Sequence, residues 1–160
     1  MQTSIWLGQA LPIGIGATLL MDGWLWLLQR CGVKTQNFAM IGRWAGHLAQ
    51  GRVRHAAIGA APPVSGELAL GWAVHYAVGI GFALLLLLWQ GPAWLAAPRP
   101  LPALCFGWLS VAAPLLLMQP AMGLGLFTLT PAAALRQALR SLLNHTVFGL
   151  GLYLSALALS

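Results

Sequence analysis

The 22 residues from Leu68 to Trp89 (LALGWAVHYAVGIGFALLLLLW) contain no Asp, Glu, Lys or Arg, and only His75 among them can take a positive charge. At ~1.5 Å per residue, that is the length a helix needs to cross a hydrocarbon layer of ~30 Å. A helix in a soluble core is seldom apolar on every side. The stretch therefore predicts a transmembrane helix with Glu67 at its mouth and His75 inside it.

The rest of the chain agrees with that environment. Of 160 residues, 59% are hydrophobic and 6% charged, with a mean hydropathy of +0.80, so an ordinary water-facing surface is excluded. The length suits one integral domain, residues 1–160, of about four spans. Eight Lys and Arg against only Asp22 and Glu67 give a net charge of +6. Nucleic acid is not the implied partner, because the basic residues sit between apolar spans and form no aromatic–basic surface. Anionic lipid headgroups are. Cys31 and Cys105 fall at opposite ends of spans and belong to no CxxC pair, which excludes a local redox or zinc motif.

The expected fold is all-α: a four-helix transmembrane bundle with an amphipathic interfacial helix between the first and second spans. The spans fall at about 4–28, 68–89, 101–125 and 141–159. The first has no basic residue before its apolar run and is too long for a cleaved signal peptide. Within it Pro12, Gly14 and Gly16 favour a kink or close approach of another backbone. Between the first two spans, Asn37–Gln50 reads as a surface-lying amphipathic helix. Phe38, Ile41, Trp44, Ala45 and Leu48 form its apolar face, and Arg43, His47, Gln50 and Arg54 its polar one. Arg43, Arg52, Arg54, Arg136 and Arg140 are the expected contacts to anionic headgroups. Ser65 is placed to cap the second span, with Glu67 in its first turn. Pro114 and Pro120 interrupt the third span, freeing carbonyls four residues back, and make Met118–Gly123 the place for irregular backbone. Thr130–Pro131 opens the last helix.

Seven of the eight basic residues lie in the first and third connections and only Arg99 in the second, which puts both termini on the outer side. Counted from the cytoplasmic ends, Asp22 lies about 9 Å deep, His75 about 12 Å, His145 about 6 Å and Gln119 about 9 Å. The ionisable groups of the spans thus occupy one half of the membrane, and the other holds little beyond Ser, Thr, Gln9 and aromatic rings. Asp22, Glu67, His75, Gln119, Asn144 and His145 are the expected lining of a polar cavity able to bind a cation, a proton or a polar headgroup. His75, His145, Asp22 and Glu67 are the candidate metal ligands. No HExxH, HxxxH or CxxC spacing specifies a metal or cofactor. His75 and His145 also admit haem ligation, or plain hydrogen bonding between helices. Ser65, Ser110 and Ser141 have no nucleophile setting, which argues against a hydrolase.

Gly42–Ile80 (GRWAGHLAQGRVRHAAIGAAPPVSGELALGWAVHYAVGI) resembles a bacterial family of small four-span inner-membrane proteins catalogued as a domain of unknown function. GATLLMDGW, PLLLMQPAMGLG and SLLNHTVFGLGLYLSALAL are similar to the same family. The resemblance covers almost the whole chain and implies a bacterial inner-membrane location and a single compact domain; with the charge distribution above, the termini are expected on the periplasmic side. It brings no activity and no site residue. The leading functional expectation is transport, or ligand or cation binding, through the polar cavity. The alternatives are a haem- or metal-binding redox protein and a structural or accessory subunit. Such a subunit would bind a partner helix, or a second copy of the chain, through Gly71, Gly79, Gly81 and Gly149–Gly151.

Overall fold

The computed structural model describes residues 2–125 and 129–160, and all regular structure among them is helical. In chain order the elements are α1 (Gln2–Arg30), α2 (Phe38–Leu48), a 3₁₀ turn (Ile58–Ala60), α3 (Glu67–Gln90), α4 (Pro92–Ala96), α5 (Pro100–Ser110), a π-helical segment (Ala113–Met118), α6 (Gln119–Ala121) and α7 (Pro131–Leu157). Three stretches are long and apolar enough to cross a membrane: Gly8–Arg30, Glu67–Gln90 and Pro100–Ala121. The last helix is longer still, but Arg136, Gln137, Arg140, Asn144 and His145 make its first half polar.

The chain divides into two compact units. The first comprises Met1–Thr35, Tyr76–Ser110 and Leu143–Ser160. Its core mixes small residues with large ones, and many large apolar side chains remain outside. Ala10, Ala17, Ala83, Ala103 and Ala156 are wholly buried beside Ile13, Leu86, Leu87 and Leu152, while Leu11, Leu19, Leu85, Leu109 and Leu154 are each about half exposed or more. Water would disfavour so many exposed leucines, because burying leucine is what the hydrophobic effect rewards. In lipid that reward vanishes, and helices associate through small residues that let backbones approach. Glycine makes each of these contacts. A Cβ on Gly14 would stand 2.4 Å from the Ile80 Cα, one on Gly151 2.7 Å from the Ala17 Cα, and one on Gly107 2.5 Å from the His145 carbonyl. Segments of α1, α3, α5 and α7 are joined in this way.

Gly71, Gly79, Gly149 and Gly151 are accordingly spent inside the chain, since a Cβ on any of them would meet another segment within 3.0 Å. Of the small residues expected to receive a partner helix, Gly81 alone has open space around it.

The second unit comprises Gln36–His75 and Val111–Leu142. Here α2, capped at its start by the Asn37 side chain on the Ala39 N–H, lies directly on the first turns of α3. The crossing is at two glycines: a Cβ on Gly42 would fall 1.7 Å from the Glu67 carbonyl oxygen, and one on Gly71 1.9 Å from that of Phe38. The apolar face of α2 thus lies against protein: Phe38 and Ile41 are buried, and Phe38 stacks on Trp72 with ring centroids 4.0 Å apart. The polar face differs from the expected solvated one. His47 is only 3% exposed, because the chain leaving α2 folds back over it. Gly51, with φ +79°, makes that reversal: its own N–H bonds to Leu48 O and that of Arg52 to His47 O, the pattern of a Schellman cap.

The third apolar stretch ends at Ala121, before the expected Gly125. Pro114 has no N–H to give to Ser110, and the helix widens there, with the Gln119 N–H reaching back to Pro114 O. Gly123, with φ +75°, then stops it, as Leu124 N–H bonds to Gln119 O and Gly123 N–H to Pro120 O. The carbonyls of Ala121 and Met122 accept the His55 and Ile58 N–H groups at 2.8 and 2.9 Å. The irregular backbone expected in this region is therefore paired with the α2–α3 loop.

Candidate functional site

In the first unit, hydrogen bonds between side chains of different helices form one polar layer. Tyr76 OH on α3 donates to Asp22 Oδ2 on α1 at 2.8 Å. Trp24 Nε1–H on α1 donates to Asn144 Oδ1 on α7 at 3.0 Å. Ser110 Oγ on α5 lies 2.7 Å from His145 Nδ1 on α7, and Trp108 Nε1–H donates to Thr146 Oγ1 at 3.0 Å. Ser110 has one hydroxyl proton, and it donates that proton to Gly107 O at 2.7 Å. The same oxygen therefore accepts from His145 Nδ1–H. Serine and histidine here make a tie between helices; the serine proton is directed away from the imidazole, the reverse of a nucleophile–base pair. Asp22 lies eight residues from the end of α1 at Arg30, about 12 Å along the helix.

In the second unit the central group is the Arg43–Glu67 pair. Arg43 Nε and Nη2 each donate to one Glu67 carboxylate oxygen at 2.8 Å, a two-pronged contact between side chains 11% and 18% exposed. Nη1 donates to the carbonyls of Ala61 and Gly59 at 3.0 and 3.3 Å, closing the loop over α2. The hydrogen bonds that Arg43 donates to Glu67 hold its pKa above the ordinary value. Glu67 also accepts the Val64 N–H at 3.0 Å and so ties the turn before its helix. Alongside, His47 Nδ1 and His55 Nε2 are 2.8 Å apart.

The candidate residues thus fall into two groups. Asp22, Asn144 and His145 belong to the first unit's layer, each with a partner. Glu67, His75 and Gln119 belong to the second unit. There Glu67 holds Arg43, His75 packs on Phe38 with ring centroids 4.8 Å apart, and Gln119 Oε1 accepts from Gln137. Arg43 has its donors committed within the chain, whereas Arg52, Arg54, Arg136 and Arg140 are exposed. Among the described residues no group of three or more His, Cys, Asp or Glu side chains is gathered for a metal ion.

Tyr76, Trp24 and Thr146 are partners that the sequence did not single out, and Ser110 was considered only as a nucleophile. One signal was available for Tyr76: a phenol in mid-span needs a hydrogen-bond acceptor, and Asp22 is one of only two carboxylates in the chain. His47 lies on the polar face of α2 by helical spacing, and no local sequence signal pairs it with His55, eight residues on.

Helices that leave many leucines exposed and touch one another at glycines, joined by a polar layer, define an all-helical protein suited to a lipid environment. The chain belongs to a protein family of unknown function (DUF2938), whose family model matches residues 11–159. Neither a curated protein nor a solved structure matches it.

Proposed function

We infer that the chain is a four-span bacterial inner-membrane protein with both termini in the periplasm, and that it binds a proton or small cation at Asp22 in the course of transport. α7 supplies the fourth span from Ser141 onward, and Arg52, Arg54, Arg136 and Arg140 lie among anionic headgroups on the cytoplasmic side. The observation that carries the reading is the Asp22–Tyr76 hydrogen bond of 2.8 Å, set well inside a helix long enough to span a bilayer. A carboxylate at that depth is expensive as a bare anion, so it gains from a bound proton or cation. Tyr76 steadies the ionised form by donating to it, and Asn144 and His145 supply further polar atoms in the same layer. Glu67 neutralises Arg43 and takes no part in binding.

The test is proton and monovalent-cation flux in proteoliposomes, with the Asp22 carboxyl stretch followed by infrared difference spectroscopy. Asp22→Asn is expected to abolish both signals. Tyr76→Phe, lacking the hydrogen bond that favours the ionised carboxylate, is expected to tighten proton binding by about tenfold or more. A flux in Asp22→Asn equal to that of the wild type would overturn the assignment.

A second reading, an accessory subunit, is favoured by Gly81, where a Cβ would meet nothing within 4 Å and a partner helix has room to approach. A stoichiometric partner in mild detergent, lost on Gly81→Leu, would establish it.

A further inference from the structure

The loop between α2 and α3 is held on two sides. On one, Trp44 Nε1–H of α2 donates to Val53 O at 2.9 Å, and His47 of α2 meets His55 of the loop. On the other, His55 N–H and Ile58 N–H bond to the turn that ends the third apolar stretch, and a Cβ on Gly123 of that turn would stand 2.2 Å from Ala56 O. His55 is the one residue that takes part in both.

The two imidazoles meet end to end, with ring centroids 4.9 Å apart and planes 23° from parallel, as an N–H···N hydrogen bond requires. Such a bond needs one proton between its two nitrogens. With both rings fully protonated, two N–H groups and two positive charges would face each other across 2.8 Å. His47 is only 3% exposed, so water does little to screen them. His55 Nδ1 is itself buried without a hydrogen-bond partner, which adds the cost of an unpaired cationic donor to the second proton. The surroundings give only partial relief: the Glu67 carboxylate lies within electrostatic reach of His47 but is held by Arg43. Arg43 on α2 is matched by Glu67 at the start of α3, Arg52 and Arg54 flank His55 in the loop, and the turn Gln119–Gly125 carries no titratable group.

We propose that His47 and His55 form a proton-operated latch, closed while the pair shares one bridging proton and opened when acidification protonates both rings. Opening frees the loop from α2 and, through the His55 and Ile58 amides, from the turn at Ala121–Met122. The device is independent of the reading given for Asp22. Going from the neutral pair to two protonated rings takes up two protons, one per ring, so the opening equilibrium shifts by up to about a hundredfold per pH unit where both bind and about tenfold where only the second does.

Hydrogen–deuterium exchange of the full chain in nanodiscs tests this directly, reading peptides that cover residues 52–60 at about pH 7.5 and about pH 5, the span in which histidine titrates. After correction for intrinsic rates, the wild type is expected to lose protection at the lower pH by about tenfold or more. His47→Gln and His55→Gln retain polar groups but cannot take the second charge, and are expected to show no such pH step. Protection in the wild type that is equal at both pH values would overturn the proposal. So would a pH step of the same size in the glutamine variants. Should one variant fail to fold, the wild-type titration and the other variant still decide.

Discussion

The helix crossing at Gly42 and Gly71 gives the sharpest quantitative prediction. Replacing Gly42 with Ala would put a methyl carbon 1.7 Å from the Glu67 carbonyl oxygen and 2.6 Å from the Gly71 nitrogen. Both are backbone atoms, so no side chain can turn aside. Contact distances below 3.0 Å are not adopted by real Cβ atoms, and α2 must therefore retreat from α3 by more than an ångström. A shift of that size takes the two 2.8 Å bonds between Arg43 and Glu67 out of hydrogen-bonding range and opens the 4.0 Å stack of Phe38 on Trp72. Overpacking alone costs about 1–3 kcal/mol, and here it comes with the loss of those contacts, so about 3 kcal/mol is expected. The helix-propensity gain of Ala over Gly, about 1 kcal/mol, offsets only part of it. Gly81→Ala is the internal control, because the new methyl meets nothing within 4 Å and only the propensity gain remains. Both variants would be unfolded reversibly in mild detergent with helicity as the readout, and Trp72 fluorescence followed in parallel. Gly42→Ala should be less stable than wild type by about 2 kcal/mol or more, and Gly81→Ala equal to it or slightly more stable. Equal stability of the two variants would refute the backbone contact and the crossing built on it.

Ser110→Ala removes the acceptor of His145 Nδ1–H at a position only 7% exposed, and should lower stability by about 1–3 kcal/mol, read as a lower thermal midpoint; an unchanged midpoint would mean the bond contributes nothing. Cys31, exposed just past the end of α1, reports orientation. It should react with a membrane-impermeant maleimide in inverted vesicles and resist it in intact spheroplasts, and the opposite pattern would reverse the proposed topology.

Much of the helical layout was legible because it depends on local signals. The uncharged run after Glu67, the Asn37 side chain at the head of α2 and the Thr130–Pro131 start of α7 each act within a few residues of where they stand. Misjudged features had distant causes. His47 lies on the hydrophilic side of α2 by periodicity, but Gly51 turns the following chain back to cover that side. Gly71 and Gly149 look from the sequence like an invitation to a partner helix, whereas segments of the same chain fill the space beside them. The polar layer was half visible: Asp22, Asn144 and His145 stood out as costly groups in apolar stretches, while Tyr76, Trp24 and Ser110 blend into any membrane helix.

The amino-acid order by itself determined that these helices form and which of them suit a bilayer, because helix propensity, chain breaks and transfer into hydrocarbon are properties of short segments. Which polar side chain meets which was decided only by the tertiary structure. A hydrogen bond such as Tyr76 to Asp22 or Trp24 to Asn144 joins residues 54 or 120 positions apart. Its geometry is set by where glycines allow backbones to touch, and no local pattern encodes that.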